Sequence, residues 1–308
     1  LICIESISEP KIQKNMTVAM AKRAPSVIAH LGPAGTYSEQ AAFFYLNWLK
    51  SNQNIEANLS PYPTIAKSLQ AVTTQQADIA VVPVENSIEG SVSMTMDSLW
   101  QLDTLQIKLA LLLPINHALI SCANSLDKID TVYSHPQALA QCQGWLAQFL
   151  PNANLIASNS STEALKLLPE VPIIAAISSI RAAQLYKLPI LVSCINDYPE
   201  NCTRFWVVDQ ADSAEQSFAP THTSLAFSLP ANMPGALVKA LEVFAHLGIN
   251  LSRIESRPTK RSLGEYLFFI DAEAGINSPL LTSALAELSS VTEVLKVFGS
   301  YHILAVNT

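Results

Sequence analysis

The stretch Ile79-Ala80-Val81-Val82-Pro83-Val84-Glu85-Asn86-Ser87 decides the fold. Its continuous apolar run is the signature of a strand buried on both faces, and such strands belong to parallel sheets covered by helices. The run ends in a carboxylate, an amide and a hydroxyl. In open α/β sheets, ligands sit at the C-terminal ends of central strands. Upstream, Val27–Leu31 is a short apolar run broken by Gly32-Pro33-Ala34-Gly35. Thr36-x-x-Glu39 then has the form of a capping box ahead of a helical run over 41–49. Residues 57–62 predict a strand and 64–73 a helix. Downstream, the pattern predicts a helix over 94–102 capped by Ser91 or a neighbour, then strands over 105–113 and 118–122. A strand over 131–133 leads to a helix started by His135 and Pro136 and running to Phe149. His135 reads as a helix cap. Ser160-x-x-Glu163 has the form of another capping box, and strand, helix and strand follow over 173–177, 178–186 and 189–194. Residues 26–208 are therefore repeated β-then-helix units, an α/β arrangement with largely parallel sheets.

The last strand of this part opens with Asn201-Cys202-Thr203-Arg204-Phe205, after a turn-rich segment over 196–200. An amide, a hydroxyl and a guanidinium thus stand at a loop-to-strand boundary, where a rigid sheet holds polar groups at its rim. Three expected helix starts carry hydroxyls: Thr36/Ser38, the Ser87–Ser91 turn, and Ser161/Thr162. Free N–H groups and the helix dipole at such starts favour anions. Residues 209–220 are polar and patternless, and read as a linker. Beyond them the order changes: strand 223–229, helix from Pro234 to Gly248, strands 249–255 and 265–270, helix 279–288, strand 294–298. This βαββαβ order is the ferredoxin-like unit.

The composition narrows the function classes. In 308 residues, 49% are hydrophobic and 14% charged, so a packed core is expected. The net charge of −7 and the lack of any Lys/Arg cluster argue against nucleic acid or an anionic membrane as partner. An anionic ligand has to be held by local donors against the global field. The five cysteines, at 3, 122, 142, 194 and 202, are odd in number and form no C-x-x-C pair, which suits free thiols in a reducing, cytoplasmic setting. No histidine spacing suggests a metal, and no apolar run reaches the length of a membrane span. Residues 1–25 lack a signal-peptide pattern and read as an unstructured extension; because the first residue is Leu, Met16 or Met20 is an alternative start.

Several motifs taken together resemble one family. Gly32-Pro33-x-Gly35-Thr36, Pro83-Val84-Glu85-Asn86-Ser87, Ser134-His135-x-Gln137-Ala138-Leu139, Ser161-Thr162 and Asn201-x-Thr203-Arg204-Phe205 are similar, in order and spacing, to those of prephenate dehydratase. Gly235-Ala236-Leu237 and Glu255-Ser256-Arg257-Pro258 resemble motifs of its regulatory ACT domain. Tyr37 stands where the family commonly has Phe. The resemblance implies a bilobal, type-II periplasmic-binding-protein-like catalytic domain over 26–208. Its lobes would be about 26–105 plus 190–208, and 106–189. A linker over 209–220 and a ferredoxin-like ACT domain over 221–308 would complete the chain, and the region before the catalytic part looks too short for a chorismate mutase domain. It also implies conversion of prephenate to phenylpyruvate, water and CO2, feedback by phenylalanine, and a homodimer or homotetramer. No cofactor or metal is expected.

On this reading Thr203 hydrogen-bonds or relays a proton to the leaving hydroxyl, with Glu85 as candidate proton source. Arg204 offers a planar fork to a substrate carboxylate. Thr36, Asn86, Ser87, Ser161, Thr162, Asn201 and Phe205 line the substrate site. Gly235, Ala236 and Leu237, with Asn250, Leu251 and the stretch Glu255, Ser256, Arg257 and Pro258, take the effector. Two alternatives remain open: the same chemistry on arogenate, and a non-catalytic amino-acid sensor.

Overall fold

The computed structural model describes residues 27–158, 162–211 and 218–306. The first unit runs β1 (Val27–Leu31), α1 (Tyr37–Gln53), β2 (Asn58–Tyr62), α2 (Ile65–Thr73) and β3 (Ile79–Asn86). Both helices begin on a threonine whose hydroxyl accepts a backbone N–H, Thr36 from Glu39 and Thr64 from Lys67, as N-cap chemistry requires. β1 lies between β2 and β3, parallel to both. A short β4 (Gly90–Ser91) folds back on β3 before α3 (Ser93–Gln101). Ser91, expected to cap α3, instead pairs with Glu85, and Val92 stands at the cap without a side-chain bond.

β5 (Leu105–Pro114) stays in this first sheet. The second lobe then comprises β6 (His117–Ile120), β7 (Thr131–Ser134), α4 (Pro136–Ala140), α5 (Gln143–Phe149), β8 (Asn154–Ala157), β9 (Ile174–Ser179), α6 (Ile180–Tyr186) and β10 (Ile190–Ser193). Its five strands form a separate sheet in the order β10-β6-β9-β7-β8. β11 (Cys202–Gln210) returns to the first sheet, antiparallel between β3 and β5. The chain therefore crosses between lobes twice, at 115–116 and 194–201, rather than near 105 and 190. The crossings bind each other: Ile195 N–H donates to the His117 carbonyl at 3.0 Å and Ile115 N–H to that of Asn201 at 2.8 Å.

Two helices depart from the sequence pattern. The run expected to reach Phe149 unbroken is interrupted at Gln141–Cys142, because the Asp197 carboxylate accepts the Gly144 and Trp145 N–H groups and starts a new helix there. The capping box at Ser160-x-x-Glu163 starts only a 3-10 turn, Glu163–Lys166, and Thr162 makes no side-chain cap bond. Ser160 and Ser161 lie outside the described residues.

The C-terminal part follows the expected order: β12 (His222–Ser228), α7 (Ala236–His246), β13 (Leu251–Pro258), β14 (Tyr266–Ala272), α8 (Pro279–Val291) and β15 (Val294–Ala305). Alternate residues of its strands serve two cores. Leu225, Phe227 and Ile270 pack beneath α7 and α8 against Phe244 and Leu281. Ala226, Phe269 and Phe298 face the other way, onto Trp206, Met96 and Leu99 of the first lobe. β15 extends beyond the expected 298. Past Tyr301 it leaves β12 and runs parallel beside β5, so both parts share one ten-stranded sheet. A Cβ on Gly299 would lie 2.4 Å from the Ile107 carbonyl oxygen, so only glycine permits this close approach.

Candidate active site

β3 and β11 bring the chemistry-bearing residues together in register. Thr203 lies opposite Asn86, and Arg204 opposite Glu85. Successive strand residues point to opposite faces. The face of Thr203 continues through Phe205 and Val207 into the core under α1. The face of Arg204 continues through Trp206 and Val208 into the core shared with the C-terminal part. A bulge separates these polar ends from the rest of the strands: the register slips so that Phe205 opposes Pro83, a residue with no N–H to give the ladder.

On the first face, one amide fixes the next. The Asn86 carbonyl oxygen accepts the N–H groups of Ile88 and Glu89, at 3.0 and 3.1 Å, so its NH2 group points across the site. That group donates to the Thr203 hydroxyl oxygen at 3.0 Å and to Asn201 Oδ1 at 2.8 Å. Asn201 Oδ1 also accepts from the Ser87 hydroxyl, at 3.2 Å. The Asn201 amide nitrogen then donates to Gln141 Oε1 at 3.0 Å, and Gln141 presents its own NH2 group toward Glu89 Oε1 at 3.4 Å. His117 Nε2 is also 3.0 Å from Gln141 Oε1. That oxygen can only accept, so His117 carries its proton on Nε2. Its Nδ1 faces the Tyr37 hydroxyl at 3.0 Å. Burial lowers the His117 pKa, which keeps the ring neutral, and burial raises that of Tyr37 well above its ordinary value. Thr203, Asn86, Asn201 and Gln141 are all buried. The result is a neutral, pre-oriented chain of donors in which Thr203 accepts from Asn86 and keeps its own O–H proton to donate.

The two lobes touch beside this chain. The Ser179 hydroxyl caps α6 and donates to the Gly35 carbonyl at 2.8 Å. Thr162 packs against Gly35, where an added Cβ would meet its methyl at 3.1 Å. Arg181 forms a two-pronged pair with Glu39, Nη2 to Oε1 at 3.0 Å, and lies over the Phe43 ring. The Thr36 hydroxyl is occupied by its cap and by the Pro33 carbonyl, at 2.9 Å.

The second face corrects two expectations. Glu85 and Arg204 pair with each other, pointing away from Thr203 because each is the strand neighbour of a residue that faces the cleft. Arg204 Nη1 also reaches Asp271 of the C-terminal part, at 3.1 Å. Burial opposes charge on Asp271, but Arg253, Arg204 and the Ser224 hydroxyl together hold its carboxyl below the usual range. Phe205, expected to touch substrate, is a core side chain. Ser161 lies outside the described residues.

The sequence pattern missed Gln141, His117, Glu89 and Arg181. Nothing in the run over 136–149 signals the helix break that turns Gln141 inward. Tyr37, a ring-for-ring change from Phe by residue type, contributes a hydroxyl with two acceptors in reach of its one proton, the Asn116 carbonyl at 2.8 Å and His117 Nδ1 at 3.0 Å. Of the expected effector residues, Gly235 begins α7 at φ 81°, with open space where a side chain would stand. Ala236 and Leu237 follow it on the helix, while Asn250 and Leu251 lead into β13, an edge strand. Ser256 and Pro258 are exposed, whereas Glu255 and Arg257 turn toward the first lobe, Arg257 pairing with Asp97 at 3.0 Å and with the Ser93 hydroxyl at 2.8 Å.

Among the described residues no cluster of His, Cys, Asp and Glu is placed to hold a metal, and no helix is long and apolar enough to cross a membrane. Fold and site define a two-lobed α/β cleft protein with a ferredoxin-like module appended. The prephenate dehydratase model matches residues 28–213 and the ACT domain model residues 223–290. A bifunctional chorismate mutase/prephenate dehydratase of Neisseria gonorrhoeae is 40% identical over 93% of this chain and 77% of its own. A prephenate dehydratase of Lactococcus lactis is 36% identical over 90% and 97%. The crystal structure of an Arthrobacter aurescens prephenate dehydratase in complex with L-Phe superposes with a TM-score of 0.79, at 33% identity, over 90% of each chain. The chain belongs to the prephenate dehydratase family, which are hydro-lyases, and carries a C-terminal ACT domain.

Proposed function

We propose that the Thr203 face of β3 and β11 carries the decarboxylating dehydration of prephenate to phenylpyruvate, water and CO2. The observation that carries this reading is the one-way amide chain that leaves the Thr203 proton free. As the ring carboxylate departs as CO2, the electrons of the breaking C–C bond enter the ring and expel the hydroxyl. No carbon-bound proton has to be removed, so the site's main task is to donate to that hydroxyl. Thr203 donates this hydrogen bond. Glu89 replaces Glu85 as the candidate acid, since its carboxyl meets the Gln141 amide at the rim of the network. Asn86, Asn201 and Gln141 hold the donors in place, so little reorganisation accompanies the reaction. Ser87 and Thr162, with the N-terminal end of α1 around Thr36, bound the substrate region.

The ACT domain takes phenylalanine as feedback effector, through Gly235–Leu237 and the exposed side of β13. The open edge of β13 fits assembly into a homodimer or tetramer. Free thiols at Cys122, Cys142, Cys194 and Cys202 suit a cytoplasmic setting. A side-by-side assay with prephenate and arogenate, with and without phenylalanine, tests the reading. Phenylpyruvate from prephenate, suppressed by phenylalanine, is expected. Turnover of arogenate alone, or of neither substrate, would refute it.

A further inference from the structure

We propose that Asp271 is a positioning residue through which the ACT domain acts on Thr203, by way of Arg204. The proposal rests on the proposed function for phenylalanine as the effector and for the activity readout. Asp271 is fully buried and takes one arm from each part of the chain: Arg204 Nη1 at 3.1 Å from the catalytic strand, and Arg253 Nε at 2.8 Å from β13. Arg253 also touches Glu255 at 3.3 Å, and Glu255 meets Arg257 at 4.0 Å. A chain of alternating charges therefore runs from the stretch around Glu255–Pro258 to the residue bonded directly after Thr203. Ser224 and Tyr301 close it off, Ser224 donating to Asp271 and meeting the Tyr301 hydroxyl at 2.7 Å. Charges desolvated in this way hold one geometry firmly, and displacing one member leaves its partners uncompensated. A ligand that draws Glu255 or Arg257 toward β13's exposed side shifts Arg253, frees Asp271 and loosens Arg204. The Thr203 backbone moves with it.

The test uses the full-length chain and Asp271→Asn. Phenylalanine affinity by calorimetry should stay within about twofold of the parent, while inhibition, about 5–150-fold for a coupling of ordinary size, falls below about twofold. Hydrogen exchange over 201–208 should respond to phenylalanine in the parent and not in the variant. Loss of the exchange response supports the proposal even if the parent makes no phenylpyruvate, an outcome that refutes the dehydratase reading alone. If Asp271→Asn does not fold, Ser224→Ala, which uncovers no charge, is expected to weaken inhibition about two- to fivefold at unchanged affinity. Full inhibition and a full exchange response in the folded variant would overturn the proposal.

Discussion

The two faces of the β3–β11 pair are a single peptide bond apart and are built from opposite materials. One face holds Asn86 and Thr203 among amides and a neutral imidazole, and the charged groups near it, Glu89 and the Arg181–Glu39 pair, stand at the margin of that chain. The other holds Glu85 and Arg204 in a charged chain that leads into the ACT domain. A face that must donate to a leaving hydroxyl benefits from fixed neutral dipoles, since a permanent cation would stabilise bound substrate as much as the transition state. A face that must report from a second domain benefits from buried charges, which tolerate few arrangements. The strand's alternation lets one five-residue motif serve both ends.

Among the residues around Thr203, the largest effect that sharpens this contrast is expected from Asn86→Ala, which removes both the partner of Thr203 and the anchor of the amide chain. It should lower kcat about 10²–10³-fold in a protein that still folds, at a stability cost of about 1–3 kcal/mol for the backbone N–H groups it leaves unpaired. Phe205→Ala should instead cost about 3–5 kcal/mol of stability, measured by denaturant unfolding, because its ring belongs to the core. Glu85→Gln should change kcat by less than about tenfold, since a neutral amide can still meet Arg204. A loss of about 10²–10⁴-fold, the size of an acid–base role, would return Glu85 to the cleft.

The smallest effect concerns pH. Burial depresses the His117 pKa, so on acidification the unfolded imidazole gains its proton first, near pH 6.5. Stability should then decline as pH falls below about 6.5, and His117→Gln should flatten that slope in urea melts. Asp271 and Asp97, held low by their arginines, contribute stability above about pH 4 that is lost at still lower pH.

Much of this architecture was legible in the residues. The capping threonine at 36, the apolar run over 79–84 and the βαββαβ order each follow from local rules, and the structure repeats them. The misplaced features depend on partners distant in sequence. Asp197 breaks a helix some fifty residues upstream, and Ile107 dictates glycine at 299. The orientation of Arg204 is a different case. Strand alternation forbids Thr203 and Arg204 from sharing a face, and likewise Glu85 and Asn86, so one member of each pair could have been set aside from the pattern alone. Which member faces the cleft is decided by Asp271, which the C-terminal sheet supplies.

The most direct test is a paired measurement of kcat for Thr203→Val and Arg204→Gln, on prephenate without phenylalanine. Valine keeps the shape of threonine and removes only the hydroxyl. The account predicts a loss of about 10²–10⁴-fold for Thr203→Val and a smaller one for Arg204→Gln, no larger than the roughly 5–150-fold by which phenylalanine would inhibit through the same residue. Near-parental kcat in Thr203→Val, or the larger loss in Arg204→Gln, would contradict it.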